Sequence, residues 1–319
     1  MELAKPVIAL AIGDPAGVSP ELTAKLVALE EARKAARIVV VGDRRVFDEG
    51  ARVAGAKNPD VEFEDLKHLD PATIKRGVAS KPGGESVLAN YRHALRMVAD
   101  GKAQAVCFTP FNKQAMRMAD PSYDDEIRFT ANVLEFKGVA TEFNVLEKLW
   151  NARVTSHIPL SKVPSSLSID SIVEALELTT VALRAAGFEP PRIGVAALNP
   201  HAGDGGNFGR EEIDIIEPAV KKARAKGLPA EGPYPADTVF VRAQRGQFDA
   251  VLTMYHDQGQ IAMKLMGFDR GVTVLGGFPF PICTPAHGTA YDIAGKGVAN
   301  IGATRAALLL AVQMVNRRS

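Results

Sequence analysis

The sequence predicts an α/β fold with a largely parallel sheet, divided between two domains. Apolar, β-branched runs alternate with helix-like stretches along the chain, which is the pattern of strands joined by crossover helices. Most of these runs are continuously apolar rather than alternating, as expected of strands that are covered on both faces. The chain of 319 residues is longer than one ordinary hydrophobic core, so two domains are expected. Because no repeat or low-complexity linker marks a border, the chain should cross between the domains.

Strands are predicted wherever such an apolar run occurs between turn-forming residues. The runs cover residues 7–12, 38–41, 105–108, 143–146, 193–198, 250–255 and 272–275. The first helix is predicted to begin with Ser19 as its cap, followed by Pro20 and Glu21 in its first turn. It should extend to about Lys34.

Two further helices are predicted in the middle of the chain. One spans 168–185, with Val181 among its apolar spacings and Gly187 as its stop. The other begins at Gly209, and Pro218 should kink it. Together with the strands they complete the alternation typical of a parallel α/β sheet.

Composition argues against several classes of function. The formal net charge of +1 and an aromatic content of 6% give no sign of a nucleic-acid or membrane-binding surface. Cys107 and Cys283 are the two cysteines, and no Cys-x-x-Cys pair exists for a zinc ribbon or a redox centre. The N-terminal apolar run is too short for a signal peptide. A cytoplasmic protein with a small-molecule substrate is therefore predicted.

Three histidines are the strongest indication of chemistry. His157, His201 and His256 each come after an apolar run and next to a turn-forming stretch. Ligand sites in α/β proteins collect at the carboxyl ends of strands, and neutral imidazole binds mid-row divalent metals well. Each could instead be an ordinary hydrogen-bonded histidine, but their shared context favours one common metal site. Zn, Co, Ni or Mn suits nitrogen ligands better than Mg.

Two glycine-rich stretches could bind a nucleotide. Residues 203–209 read GDGGNFG, and the backbone around Gly205 and Gly206 could wrap a phosphate. The spacing does not match G-x-G-x-x-G, so a Rossmann domain is not indicated. Residues 287–300 read HGTAYDIAGKGVAN, a long polar loop whose backbone should closely approach a ligand.

The second stretch resembles the cofactor loop of the isocitrate and isopropylmalate dehydrogenase superfamily, whose fold is not Rossmann. The resemblance implies NAD or NADP as cofactor. It assigns to cofactor binding His287, Gly288, Thr289, Asp292 and Asn300.

Within that superfamily the chain resembles the PdxA family of 4-hydroxythreonine-4-phosphate dehydrogenases and their paralogues, in order and over nearly its whole length. The resemblance rests on GDPAGVSPE at 13–21, PFNK at 110–113, TSHIP at 155–159, LNPHAGDGG at 198–206, GPYPADT at 232–238 and YHDQG at 255–259. It implies a domain made of 1–130 and 280–319 on the cofactor side. The domain 131–279 would hold the metal, the substrate and the interface of a homodimer with shared active sites.

The resemblance also implies roles for individual residues. The three histidines would bind one divalent ion, and Lys264 would contact the substrate. Asp257 and Asp237 would act beside them, by fixing an imidazole tautomer or relaying a proton. Asp14 in Gly-Asp-Pro could equally be a turn residue.

The chain departs from the PdxA pattern at positions that contact substrate in that family. Glu126 and Ile127 stand where the family has His and Thr, and Arg128 stands where it has Glu. Thr273 replaces an Asn and Ile282 replaces an Arg, which removes a bidentate anion clamp. Arg128 could hold a substrate carboxylate or be a solvated helix charge. Lys113, Arg128 or backbone N–H groups could rebuild a phosphate site in another geometry.

The expected function is therefore a metal- and NAD(P)-dependent dehydrogenase that oxidises a hydroxyl near a carboxylate, with decarboxylation to follow. The departures favour an unphosphorylated hydroxy acid or a dihydrodiol carboxylate, as in terephthalate dihydrodiol dehydrogenase. The alternative is 4-hydroxythreonine-4-phosphate dehydrogenase itself. A metal hydrolase with three histidine ligands and a non-catalytic binding protein are alternatives from other classes.

Overall fold

The computed structural model describes residues 5–56 and 61–318. The chain forms two compact units: unit 1 consists of Met1–Val139 and Val272–Ser319, and unit 2 of Ala140–Gly271. Both are mixed α/β structures with mostly parallel strands, which confirms the predicted fold class. The roles that the sequence analysis gives to the two domains stay predictions.

Unit 1 contains a six-stranded sheet whose strands run in the order β3-β2-β1-β4-β11-β10. The strands are β1 (Val7–Ala11), β2 (Arg37–Gly42), β3 (Glu62–Asp65), β4 (Ala105–Phe108), β10 (Val272–Gly276) and β11 (Ile282–Pro285). The helices are α1 (Ser19–Ala28), α2 (Glu30–Ala35), α3 (Arg44–Ala54), α4 (Lys81–Ala99), α5 (Lys113–Ala119), α6 (Glu126–Val133) and α12 (Gly302–Arg318), with a 3-10 turn at Pro71–Thr73. Strand β4 is buried throughout, as predicted for a strand covered on both faces. Strand β11 is also buried throughout, but it was not among the predicted strands.

Unit 2 contains a five-stranded sheet in the order β5-β6-β9-β7-β8. The strands are β5 (Thr141–Leu146), β6 (Leu149–Arg153), β7 (Ile193–Ala196), β8 (Ala230–Tyr234) and β9 (Ala250–Thr253). The helices are α7 (Val163–Ser166), α8 (Ile169–Ala185), α9 (Glu217–Ala225), α10 (Ala236–Gln244) and α11 (His256–Gly267). Short 3-10 helices span Leu160–Lys162, Pro200–Gly206 and Phe268–Arg270, and a π-helix spans Glu212–Ile216. Strands β5 and β6 form an antiparallel hairpin, whereas β6, β9, β7 and β8 are parallel neighbours.

The first predicted helix is wrong in two details. It is interrupted at Leu29, whose extended backbone separates α1 from α2. Ser19 is the first helical residue and not the cap, because its hydroxyl donates to the carbonyl oxygen of Pro110 at 2.7 Å. The side chain that sequence suggested as a local cap therefore joins the start of α1 to the end of β4.

The helices of unit 2 follow the prediction more closely. Helix α8 ends at Ala185 as predicted, and Ser168 and Ser171 form a capping box at its start. Val181 is 63% exposed, however, so it lies outside the buried face. The predicted kink appears as the π-turn before α9, where Pro218 occupies the first turn.

Two strands end earlier than predicted, so more residues separate each strand end from the histidine that follows it. Strand β7 ends at Ala196 and β9 ends at Thr253, two residues short of each predicted end. His256 consequently begins helix α11. Among the described residues, no helix is both long and apolar enough to cross a membrane.

Candidate functional site

His157 and His256 lie side by side in unit 2. Their ring centroids are 5.3 Å apart and the ring planes are inclined by 44°. His157 follows β6 and His256 follows β9, and these strands are parallel neighbours in the sheet. Because the carboxyl ends of parallel strands meet at one edge, the topology brings the two imidazoles together.

The separation suits two ligands of one metal ion. With metal–nitrogen bonds of about 2.0–2.1 Å and tetrahedral angles, two imidazole centroids would lie roughly 5 Å apart. The observed pair is at 5.3 Å, and its nitrogen donors match a mid-row divalent ion. Over residues 5–56 and 61–318, the structure forms no cluster of three or more His, Cys, Asp or Glu side chains able to hold a metal. The structure thus joins two of the three predicted histidines, and the three-histidine site stays a prediction.

His201 lies in a run of left-handed backbone. Its φ of 52° is followed by positive φ at each residue to Gly205, within the Pro200–Gly206 segment. The buried carboxylate of Glu212 supports the start of this segment, since it accepts hydrogen bonds from the backbone N–H of Leu198 and Asn199, each at 2.8 Å. The sequence analysis missed Glu212. Gly205 and Gly206 also have positive φ, and their predicted role in wrapping a phosphate stays a prediction.

The first turn of α11 is anchored by polar side chains. Asp257 Oδ1 lies 2.7 Å from His256 Nδ1, in hydrogen-bond reach of the imidazole. Gln258 donates to the carbonyl oxygen of Ala197 at 2.7 Å and accepts from the N–H of Met254, also at 2.7 Å. This amide therefore ties the histidine-bearing helix to the end of β7.

The other predicted catalytic groups of unit 2 lie on helix surfaces. Asp237 is exposed in the first turn of α10, and Lys264 is exposed in the last turn of α11. Eight residues separate Lys264 from His256, which is about 12 Å along a helix axis. The structure therefore does not place Lys264 next to His256 of its own chain.

The glycine-rich loop 287–300 of unit 1 packs against the start of α1. The N–H of Val18 donates to the carbonyl oxygen of Thr289 at 3.0 Å. A Cβ at Gly17 would come within 2.7 Å of the same oxygen, so only glycine permits this approach. Ala290 and Ile293 pack on the buried cluster formed around Val18.

Two charged side chains of α1 bind the far end of that loop. Glu21 is 2% exposed and accepts from the N–H groups of Ala299 at 3.0 Å and Gly297 at 3.2 Å. Lys25 donates to the carbonyl oxygens of the same two residues, each at 2.8 Å. Sequence analysis treated Glu21 only as a helix-start acid and did not identify Lys25. Asn300 accepts from Gly302 N–H at the start of α12.

Asp14 connects the middle of the loop to β1. Its carboxylate accepts a hydrogen bond of 2.5 Å from the Tyr291 hydroxyl and one of 2.9 Å from the N–H of Ala16. Burial raises the pKa of Asp14, and these two hydrogen bonds oppose that rise. Asp14 is thus more than a turn residue. His287 and Asp292 lie along the same loop, and His287 Nδ1 is 2.9 Å from the carbonyl oxygen of Gly288.

The segment that departs from the PdxA pattern begins helix α6. Glu126 is 19% exposed, and its carboxylate lies 3.2 Å from the ammonium of Lys113 at the start of α5. Arg128 is 74% exposed and pairs with Asp124 at 2.6 Å, and its possible contact with a substrate carboxylate stays a prediction. Ile127 lies between them and is half-buried. Lys113 and Glu126 are consequently the charged pair that this segment presents.

The two remaining departures lie in neighbouring strands. Ile282 is fully buried in β11, and Thr273 is 7% exposed in β10. The apolar Ile282 therefore belongs to the core of unit 1. An arginine introduced there would place a charge in that core.

Comparison with known proteins places the chain in a family. Residues 34–311 match the family model described as pyridoxal phosphate biosynthetic protein PdxA. The chain belongs to the PdxA family. It is 62% identical over 98% of its length to a putative 4-hydroxythreonine-4-phosphate dehydrogenase 2 from Rhizobium meliloti, of which 94% is covered. It is 34% identical, over 97% of its length and 99% of the relative, to D-threonate 4-phosphate dehydrogenase from Pectobacterium atrosepticum.

Solved structures agree with this assignment. The chain matches 4-hydroxythreonine-4-phosphate dehydrogenase from Klebsiella pneumoniae with a TM-score of 0.85 and 31% identity, covering 99% of both chains. A terephthalate 1,2-cis-dihydrodioldehydrogenase from Burkholderia xenovorans matches with a TM-score of 0.67 and 28% identity, covering 97% of this chain and 98% of the other. The predicted resemblance is confirmed, and this PdxA-family chain is a dehydrogenase and not a hydrolase.

Proposed function

We propose that this chain oxidises a four-carbon hydroxy acid that carries a terminal phosphate, with NAD or NADP as hydride acceptor. The observation that most supports this proposal is the 62% identity, over 98% of the chain, to a relative named for a phosphorylated substrate. 4-Hydroxythreonine 4-phosphate and D-threonate 4-phosphate are the substrates that the relatives' names suggest. The comparisons favour this alternative over the unphosphorylated acid or dihydrodiol carboxylate that the sequence analysis preferred.

The pairing of Glu126 with Lys113 makes this part of unit 1 compatible with a phosphate-bearing substrate. A carboxylate at position 126, where the family has His, would by itself repel a phosphate. In the structure this carboxylate is 3.2 Å from Lys113, whose ammonium offsets the negative charge. Lys113 is itself 44% exposed, so a dianionic group could approach it from solvent. We assign Lys113 as the cation that takes over from the arginine missing at Ile282.

The proposed metal would be held by His157 and His256, with His201 as the third ligand. When bound, a divalent ion acts as a Lewis acid on the substrate hydroxyl and carboxylate. Asp257 would hold the His256 ring through Nδ1, which leaves Nε2 to bind the ion. Zn, Co, Ni and Mn suit the nitrogen donors better than Mg.

The loop 287–300 would bind the nicotinamide cofactor. The backbone groups of Gly297 and Ala299 at its far end are already held by Glu21 and Lys25, so little ordering of that end should accompany binding. A hydroxyl β to the carboxylate would lose its C–H hydride to the nicotinamide and its O–H proton to the protein or solvent. The resulting β-keto acid would break its bond to the carboxylate and release carbon dioxide, and the carbon left behind would take up a proton from the protein or solvent.

A homodimer with shared active sites completes the proposal. Ile261 and Leu265 on α11 are 62% and 83% exposed, and an interface that covers them would also bring Lys264 to the partner's site. Lys264 is about 12 Å along the helix axis from His256 of its own chain, which favours a role at the partner's site. Lys264 would then donate a proton or support the developing oxyanion in the other subunit.

The test is a comparison of kcat/KM for matched substrates, followed at the reduced-nicotinamide absorbance. D-Threonate 4-phosphate and 4-hydroxythreonine 4-phosphate are each compared with their unphosphorylated forms and with a terephthalate cis-dihydrodiol. We expect kcat/KM to be at least about 100-fold higher for a phosphate ester than for its unphosphorylated form. Turnover should be abolished by a chelator and restored by Zn or Co. A preference for an unphosphorylated compound would overturn the substrate assignment and favour the original prediction.

A further inference from the structure

A buried arginine lies behind the two histidines of unit 2. Arg153 is the last residue of β6, and its side chain is 2% exposed. Its guanidinium donates to the Asn144 side chain at 2.5 Å, to the Ser156 hydroxyl at 3.1 Å, and to the carboxylate of Glu142. A buried charge is costly unless it is fully hydrogen-bonded, so this arginine is held in one orientation.

The hydrogen bonds of Arg153 form a network, and one end of it reaches the segment that carries His157. Ser156, which accepts from Arg153 Nε, immediately precedes His157. His157 has a φ of 55°, a left-handed conformation that a residue with a side chain adopts only where its surroundings impose it. Arg153 thus fixes the chain one residue before the strained histidine.

The other end reaches the helix that carries His256. The Asn144 side-chain oxygen, which accepts from Arg153, also accepts from the Gln260 amide at 2.6 Å. Gln260 is one helical turn beyond His256 on α11, so the two side chains emerge from the same side of the helix. Ser156, Arg153, Asn144 and Gln260 therefore form a continuous polar connection between the two histidine-bearing segments.

We propose that Arg153 is a positioning residue that sets the separation of His157 and His256 for metal binding. The inference rests on the metal site of the proposed function and adds a role that sequence analysis did not foresee. The simpler possibility is that the network only stabilises the β5–β6 hairpin. The positioning role and the purely stabilising role differ in one respect: a network that positions the histidines should affect metal affinity even where stability is unchanged.

The experiment measures Co²⁺ binding to the purified full chain without cofactor or substrate, by calorimetry and by the visible absorption of bound Co²⁺. Ser156→Ala and Gln260→Ala each remove one end of the network. Ser166→Ala, which removes a hydroxyl donating to the Lys162 carbonyl in the same segment, and Gln244→Ala at the exposed end of α10 are matched controls. Thermal unfolding of each metal-free protein is measured in parallel.

Ser156→Ala and Gln260→Ala should each weaken Co²⁺ binding about tenfold and alter the absorption spectrum, with melting temperatures like those of the controls. The double variant should lose less than the product of the two single losses, because both act through Arg153. Multiplicative losses, affinities equal to the controls, or losses that merely follow lowered melting temperatures would overturn the positioning role. If the wild-type chain binds no Co²⁺, both this inference and the proposed metal site are wrong.

Discussion

The glycine-rich loop of unit 1 and the histidine pair of unit 2 are built in different ways. Backbone groups of the loop are bound by Glu21 and Lys25 of α1, and Glu21 is almost fully buried. The histidines instead project from chain segments after β6 and β9, and His157 is exposed. Changes that disturb the loop should therefore cost both stability and cofactor affinity, whereas changes at the histidines should cost chemistry alone.

The largest effect is expected at His157, where a substitution should abolish activity and leave stability almost unchanged. His157→Ala should lower kcat by at least about 10³-fold, because the proposed metal would lose a ligand. The free energy of unfolding should change by less than about 0.5 kcal/mol, as for other exposed side chains. Steady-state kinetics and urea unfolding test the two halves. His93→Ala, at a histidine 37% exposed beside Glu64, is the control and should leave both unchanged. Normal turnover in His157→Ala would contradict the comparison.

Glu21 should show the opposite behaviour. Glu21→Ala would leave two backbone N–H groups without their carboxylate acceptor, at a cost of about 2–4 kcal/mol in unfolding free energy. NAD(P) binding should weaken about tenfold, since the far end of the loop is no longer held. Urea unfolding and calorimetric titration measure the two effects. Glu30→Ala, on the 72% exposed partner of Lys34, is the matched control. Wild-type stability in Glu21→Ala would show that the loop supports itself.

A smaller effect is expected from the Lys113–Glu126 pair. Lys113→Met should raise the KM for a phosphate ester about tenfold without changing that for the unphosphorylated analogue. Glu126→Gln should lower the phosphate-ester KM a few-fold, because Lys113 no longer shares its charge. Lys81→Met, which breaks an exposed ion pair with Glu85 on α4, is the control. Equal responses of the two substrate forms would place the phosphate elsewhere.

The smallest effect concerns pH and Asp14. Its folded-state pKa is raised above 3.8 by burial, so the protonated carboxyl favours the folded state. This contribution is complete below the unfolded pKa and is lost as pH rises through the folded pKa. Asp14→Asn should flatten that part of the stability–pH curve. Tyr291→Phe removes a hydrogen bond that lowers the pKa and should extend the loss to higher pH. Identical curves for Asp14→Asn and wild type would contradict this assignment.

The sequence by itself determined the fold class, the family and the dehydrogenase chemistry. The continuous apolar run of β4 identifies a buried strand, because burial on both faces leaves no polar alternation. Strand β11, with the sequence ICTP, has no such run and was not predicted. The loop 287–300 was recognisable because its sequence, HGTAYDIAGKGVAN, resembles the cofactor loop of the isocitrate and isopropylmalate dehydrogenase superfamily. The PdxA motifs were sufficient for the family but not for the substrate, where the substitutions at 126 and 282 favoured the less supported alternative.

Only the tertiary structure decided which side chains meet. Lys113 offsets Glu126, Glu21 and Lys25 hold a loop more than 270 residues further on, and Arg153 lies buried behind His157. The partners of Arg153 and Glu126 could not be predicted from sequence, because a charged residue can form either a surface ion pair or a buried one. Whether an ion pair is buried or at the surface depends on partners that are distant in sequence. Hydrophobic periodicity indicates which face of an element is buried, but not which charged side chains meet there.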